Sequence, residues 1–197
     1  MMQPSESESL RRGIRIDLII AVCALLMSSL ATGASWWQSR VVAQQLSAQV
    51  WPYLSIGTTY DPGYVAFDIT NDGLGPAIVR SAVLTVNGQP YADPGKAFRV
   101  VFKGHHKGKV SAHIRSLSPG TVIRGSSTVR VWQIDAAWAT QDYIPVAGRI
   151  DFHICYCSLL GNCWLISALD ASQDPHPVGT CPDVGKDQFL VRPGRVL

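Results

Sequence analysis

His153, Cys155, Cys157 and Cys163 are the side chains best equipped for chemistry in this 197-residue chain. Over residues 150–157 the sequence alternates strictly. Ile150, Phe152, Ile154 and Tyr156 fall on one face of a strand, and Asp151, His153, Cys155 and Cys157 on the other. A reversal at Gly161-Asn162 continues the apolar face with Trp164, Ile166 and Ala168 and returns Cys163 to the cysteine face. One imidazole and three sulfurs on a single face form a soft ligand set for copper or zinc, or a thiol pair for redox exchange. A zinc knuckle, however, usually carries Cys-x-x-Cys, and a Cys-x-Cys pair outside the cytoplasm is drawn into disulfides. Redox activity also calls for a thiolate stabilised as at a helix N-terminus, and the pattern holds no such helix. Structural disulfides are therefore the favoured reading: Cys157 with Cys163 across the hairpin, and Cys155 with Cys181, which pins the C-terminal segment. Four exported cysteines allow three connectivities, so the pairing rests on parity and facing alone.

A second group is His105, His106 and His113, near the glycine- and lysine-rich stretch 103–109. Lys103, Lys107 and Lys109 would repel a cation there, and no neighbouring carboxylate orients an imidazole. Residues 94–134 contain eight lysines and arginines and no acid, so Lys103, His105, His106, Lys107 and Lys109 form a candidate binding segment for anionic headgroups or another anionic envelope polymer. Asp151 and His153 share a strand face, but no serine stands in a nucleophile elbow. The glycines of Gly73-Leu74-Gly75 and Gly125-Ser126-Ser127 sit in turns rather than in a phosphate-binding strand-to-helix loop. These readings imply no catalytic group, no cofactor, no small-molecule substrate and no nucleic-acid partner.

What must position these residues begins with a membrane segment. Residues 18–34 form an uninterrupted apolar run, with Arg11, Arg12 and Arg15 before it and Trp36 and Trp37 after. Basic residues on the amino-terminal side place the N-terminus in the cytoplasm and the rest across the membrane, and the indoles suit the interfacial belt. The expected divisions are a cytoplasmic tail over 1–13, a transmembrane helix over 14–35, a helical stalk over 36–51 and an exported domain over 52–197. Small residues at 31–34 leave a cleavable signal peptide as the alternative. Cys23 reads as a small apolar residue of the helix, and Ser29 with Gly33 is a small-xxx-small match.

From residue 53 the period changes from helical to alternating. Strands are expected over 54–58, 65–69, 78–86, 98–102, 121–124, 128–134, 148–157, 163–168 and 188–191, with an irregular tail over 170–185. Asn87-Gly88 is a hairpin signal. Many short strands without a long helix imply a mainly β sandwich.

Asn71-Asp72-Gly73-Leu74-Gly75-Pro76-Ala77, the Asn87-Gly88 turn, Leu117-Ser118-Pro119-Gly120, and Tyr156-Cys157-Ser158 with Cys163-Trp164 resemble uncharacterised bacterial single-pass membrane proteins with an immunoglobulin-like exported domain. The resemblance implies an immunoglobulin-like β-sandwich held at the bacterial inner membrane, with the C-terminal domain periplasmic or extracellular. It carries no activity, and the immunoglobulin pair of cysteines bridging opposite sheets does not occur, because three of the four exported cysteines crowd one hairpin. The expected role is a binding or scaffolding module that recruits a protein or an envelope complex. The alternative is a metal-binding or thiol-redox protein built on the hairpin.

Overall fold

The computed structural model describes residues 6–102, 111–172 and 174–190. It divides into two compact units, Met1–Ala48 and Gln49–Leu197.

The first unit is a single helix, α1 (Glu6–Gln49), which contains a stretch, Asp17–Ser47, long and apolar enough to cross a membrane. Four of its hydroxyl groups are paired within the helix. Ser29, Thr32, Ser35 and Ser39 each donate back to the carbonyl four residues earlier, at 2.8–3.0 Å. Such back-bonding lets serine and threonine sit in hydrocarbon without an orphan O–H. The Arg40 guanidinium lies 4.1 Å from the centre of the Trp36 ring, so charge and indole are held together where the apolar run ends. The helix stops at Gln49 because Pro52 lacks an N–H and disfavours helical geometry in the residue before it.

The second unit is built from β1 (Leu54–Asp61), β2 (Tyr64–Asn71), β3 (Ala77–Val86), β4 (Gln89–Tyr91), β5 (Ser111–Ile114), β6 (Val122–Ile123), β7 (Ser127–Asp135), β8 (Ile150–Cys157), β9 (Cys163–Ser167) and β10 (His176–Val178). These strands form two antiparallel sheets. One runs β1-β2-β7-β5; the other runs β10-β9-β8-β3-β4, with β6 also paired to β3. Their inner faces share one core: Phe67 of β2 stacks on Trp132 of β7 at 5.8 Å and meets Phe152 of β8 edge-on at 5.4 Å. Phe189 closes the layer against Phe152 at 5.0 Å. Aromatic pairs at these spacings add to the burial of their large apolar area.

Two expected strands take other forms. Residues 98–101 belong to a helix, α2 (Pro94–Val101), capped by Phe102 and started by local chemistry that overrides their β-like composition. The Asp93 carboxylate accepts from the Gly95 N–H, Pro94 occupies the first turn, and Ala97, Phe98 and Val101 form a buried helical stripe. Phe98 reaches the Trp132 ring at 5.1 Å, so the core is filled from a helix. Residues 188–190 are irregular and follow a 3₁₀ turn, Gly185–Asp187. They fill a gap along β3 between its pairings with β6 and β4. The Phe189 N–H donates to the Ala82 carbonyl at 2.8 Å, while the Gln188 side chain accepts from the Ala82 N–H and donates to the Leu117 carbonyl. A side-chain amide thus takes the place of strand backbone. A further helix, α3 (Ala139–Tyr143), and a 3₁₀ turn, Ile144–Arg149, delay the start of β8 to Ile150.

Candidate functional site

The strand register gathers chemistry at one end of the sandwich. Leu54 pairs with Asn71, Asn71 with Ser127, Ala77 with Ile123, Ile78 with Cys157, and Cys157 with Cys163. The chain entry at residues 49–53, the turn at 72–76, the loop at 124–126 and the β8–β9 tip at 158–162 therefore lie side by side at this end. Asn71 holds them. Its side-chain oxygen accepts from the Tyr53 and Gly73 N–H groups, and its amide donates to the Gly75 and Ile123 carbonyls, all at 2.9–3.1 Å. It is fully buried. Asn71 was legible as a turn residue; its reach to Tyr53 and Ile123 left no local signal.

The cysteines sit in the same place. Cys157 is joined to Cys163 and Cys155 to Cys181. The Ser158 N–H donates to the Asn162 carbonyl at 2.8 Å, which makes the next pair, Cys157 and Cys163, the close, non-hydrogen-bonded kind, with Cα atoms 4.0 Å apart. Cys155 and Cys157 face away from the core between the sheets but are almost completely buried, as Cys181 is drawn onto the hairpin from the segment that follows β10. The two bridges touch: Cys157 Sγ lies 3.9 Å from Cys181 Sγ, and the sulfurs of Cys157, Cys163 and Cys181 fall within 4.8 Å of one another. Sulfurs committed to disulfides offer no thiolate for a metal, but their crowding permits exchange between bridges once one is opened.

His153 does not join the cysteines. Its Nε2 lies 3.1 Å from Asp151, which also accepts from the Ser167 hydroxyl at 2.8 Å and from the Leu169 N–H at 3.1 Å. Burial would raise the Asp151 carboxyl, but the hydrogen bonds from His153 and Ser167 outweigh it and hold it at about 2. The same contact, against burial, raises His153 above its ordinary value. The carboxylate is the common acceptor of serine and histidine, whereas a nucleophilic relay places the imidazole between serine and carboxylate. The cluster clamps β8 to β9 and the residues that follow. The expected set of His153, Cys155, Cys157 and Cys163 is thus divided: the imidazole goes to Asp151, Cys157 and Cys163 bond each other, and Cys155 bonds Cys181.

Lys103, His105, His106, Lys107 and Lys109 lie outside the described residues. His113, on β5, is exposed, with Nε2 3.5 Å from Asp135. A shallow, open depression of about 530 Å³ lies between α2 and the C-terminal 3₁₀ turn and is lined by Tyr91, Asp93, Lys96, Lys186 and Leu190 among others. Several apolar side chains project from the disulfide end, namely Trp51, Leu74, Val122, Leu159 and Leu160, all between 47% and 73% exposed. Val122 stands on β6 and the others on segments held near Asn71 or by the Cys157–Cys163 bridge, so this end presents an ordered apolar surface. The chain matches no protein-family model and no curated protein.

Proposed function

We propose that this chain is a bacterial inner-membrane protein held by α1, with its N-terminus in the cytoplasm. Its immunoglobulin-like sandwich lies in the periplasm or outside the cell and acts as a non-enzymatic binding or scaffolding module for a protein or an envelope component. The observation that carries the reading is the succession, within one chain, of a helix whose apolar stretch, Asp17–Ser47, is exposed and a domain stapled by two disulfides. Disulfides belong to an oxidising compartment, and an exposed apolar helix belongs in lipid. The contact surface is the disulfide end, where Leu74, Leu159 and Leu160 project from fixed loops.

The test is site-specific photocrosslinking in cells, with the reactive side chain at position 160 or 74 and, as control, at position 87 on the opposite hairpin. The reading expects a discrete adduct of one mass from 160 and 74 and none from 87, in a protein that resists carbonate extraction. Adducts absent from all three positions would contradict the binding role, and extraction by carbonate would contradict the anchor.

A further inference from the structure

Among the described residues, the clearest chemistry left unused is the contact between the two disulfides. Cys163 and Cys181 are partly accessible, whereas Cys157 is 4% exposed and Cys155 is fully buried. An external thiolate therefore reaches a bridge first at Cys163 or Cys181. The close group of sulfurs is Cys157, Cys163 and Cys181, with Cys157 and Cys181 at 3.9 Å. We propose that the pair is a thiol–disulfide exchange site that takes electrons from an external dithiol and answers by moving a bridge, from Cys155–Cys181 to Cys157–Cys181.

The steps balance. A thiolate of the dithiol attacks Cys163 Sγ and forms a mixed disulfide; the Cys157–Cys163 bond breaks, and its electron pair leaves on Cys157. The Cys157 thiolate attacks Cys181 Sγ, 3.9 Å away in the starting structure. The Cys157–Cys181 bond forms, the Cys155–Cys181 bond breaks, and Cys155 leaves as the thiolate and takes a proton from water. The second thiol of the dithiol then displaces Cys163, forms the dithiol's own disulfide and leaves a protonated Cys163. Two electrons and two protons pass to the protein, the dithiol is oxidised, and one protein disulfide remains.

The consequence is structural. In both states Cys181 ties the C-terminal segment to β8, first through Cys155 and then through Cys157. Only in the oxidised state does a covalent clamp close the tip at 158–162, which carries the exposed Leu159 and Leu160. Reduction by one equivalent thus frees the tip of the proposed contact surface while the tail stays tethered. Cys155 is the natural leaving sulfur, since it is fully buried and lies outside the close group.

The experiment is limited reduction of the full chain in detergent by substoichiometric dithiothreitol, with rapid alkylation and peptide mass mapping. The species with two new thiols is expected to be alkylated at Cys155 and Cys163 and to contain a Cys157–Cys181 crosslinked peptide. Alkylation at Cys157 and Cys163 with Cys155–Cys181 intact would overturn the proposal, as would loss of both bridges without a two-thiol species. The variant Cys155→Ser tests the same step without reductant. Its free Cys181 is expected to exchange with the hairpin bridge, so that label appears on both Cys163 and Cys181. Label confined to Cys181 would overturn the proposal.

Discussion

At the residue scale, two polar side chains do the work of joining distant segments. Asn71 is buried with four hydrogen bonds to backbone groups of three different segments, the chain entry, the 72–76 turn and β6. Its replacement by alanine leaves two N–H groups and two carbonyls without their partners, and orphaned buried groups are costly. Asn71→Ala is expected to lose about 3 kcal/mol in urea unfolding, well beyond an ordinary surface change. Asp151 gives a pH-dependent counterpart. Its folded value of about 2 lies below the ordinary 3.8, so its contribution is present above 3.8 and is lost as pH falls toward 2. His153 is raised above 6.5, so its contribution is present below 6.5 and is lost as pH rises through the folded value. Asp151→Asn is therefore expected to be less stable than the parent by about 1 kcal/mol between these limits, a figure reduced for the half-exposed imidazole. The gap should narrow on either side in urea melts across pH; a constant gap would assign the loss to packing alone.

At the scale of elements, the loops of the disulfide end are held by close backbone approach. A Cβ on Gly75 would lie 1.9 Å from the Val50 carbonyl oxygen, and one on Gly125 would lie 2.2 Å from the Leu74 oxygen. Both neighbours are backbone, so neither can swing aside. Gly75→Ala is expected to lose 2 kcal/mol or more, by order of magnitude, whereas Gly57→Ala, with open space around it, should stay within about 0.5 kcal/mol. Thermal melts of the two variants, compared with the parent, check this. The β8–β9 hairpin was legible because period-two alternation directly states which residues share a face, and Cys157 and Cys163 indeed pair in register. Residues 98–102 were misread because Phe-Arg-Val-Val-Phe satisfies strand composition, while the deciding cap, Asp93-Pro94, stands outside that window. Ser167 and Asp151 meet only once the hairpin has formed, and Cys181 follows β10, a three-residue strand paired with β9 inside the segment 170–185 that was expected to be irregular and too short for a period to be read.

At the scale of the whole molecule, a long apolar helix and a two-sheet domain occupy successive parts of one chain. The mainly β architecture was evident from the alternation of β1, β2 and β8 and from the apolar run of β3. How α1 serves the chain, as anchor or as cleaved signal, is a matter of processing that periodicity does not encode, since both uses require the same apolar run. The central claim is that α1 is retained as an anchor and that the four cysteines of the β domain are all bonded. Intact mass of the membrane-extracted protein, alkylated without reduction, tests both parts at once. The account predicts the full-length mass with a single alkyl group, on Cys23, the one free cysteine among the described residues. A mass lacking the residues before position 35, or further alkyl groups on Cys155, Cys157, Cys163 or Cys181, would contradict it.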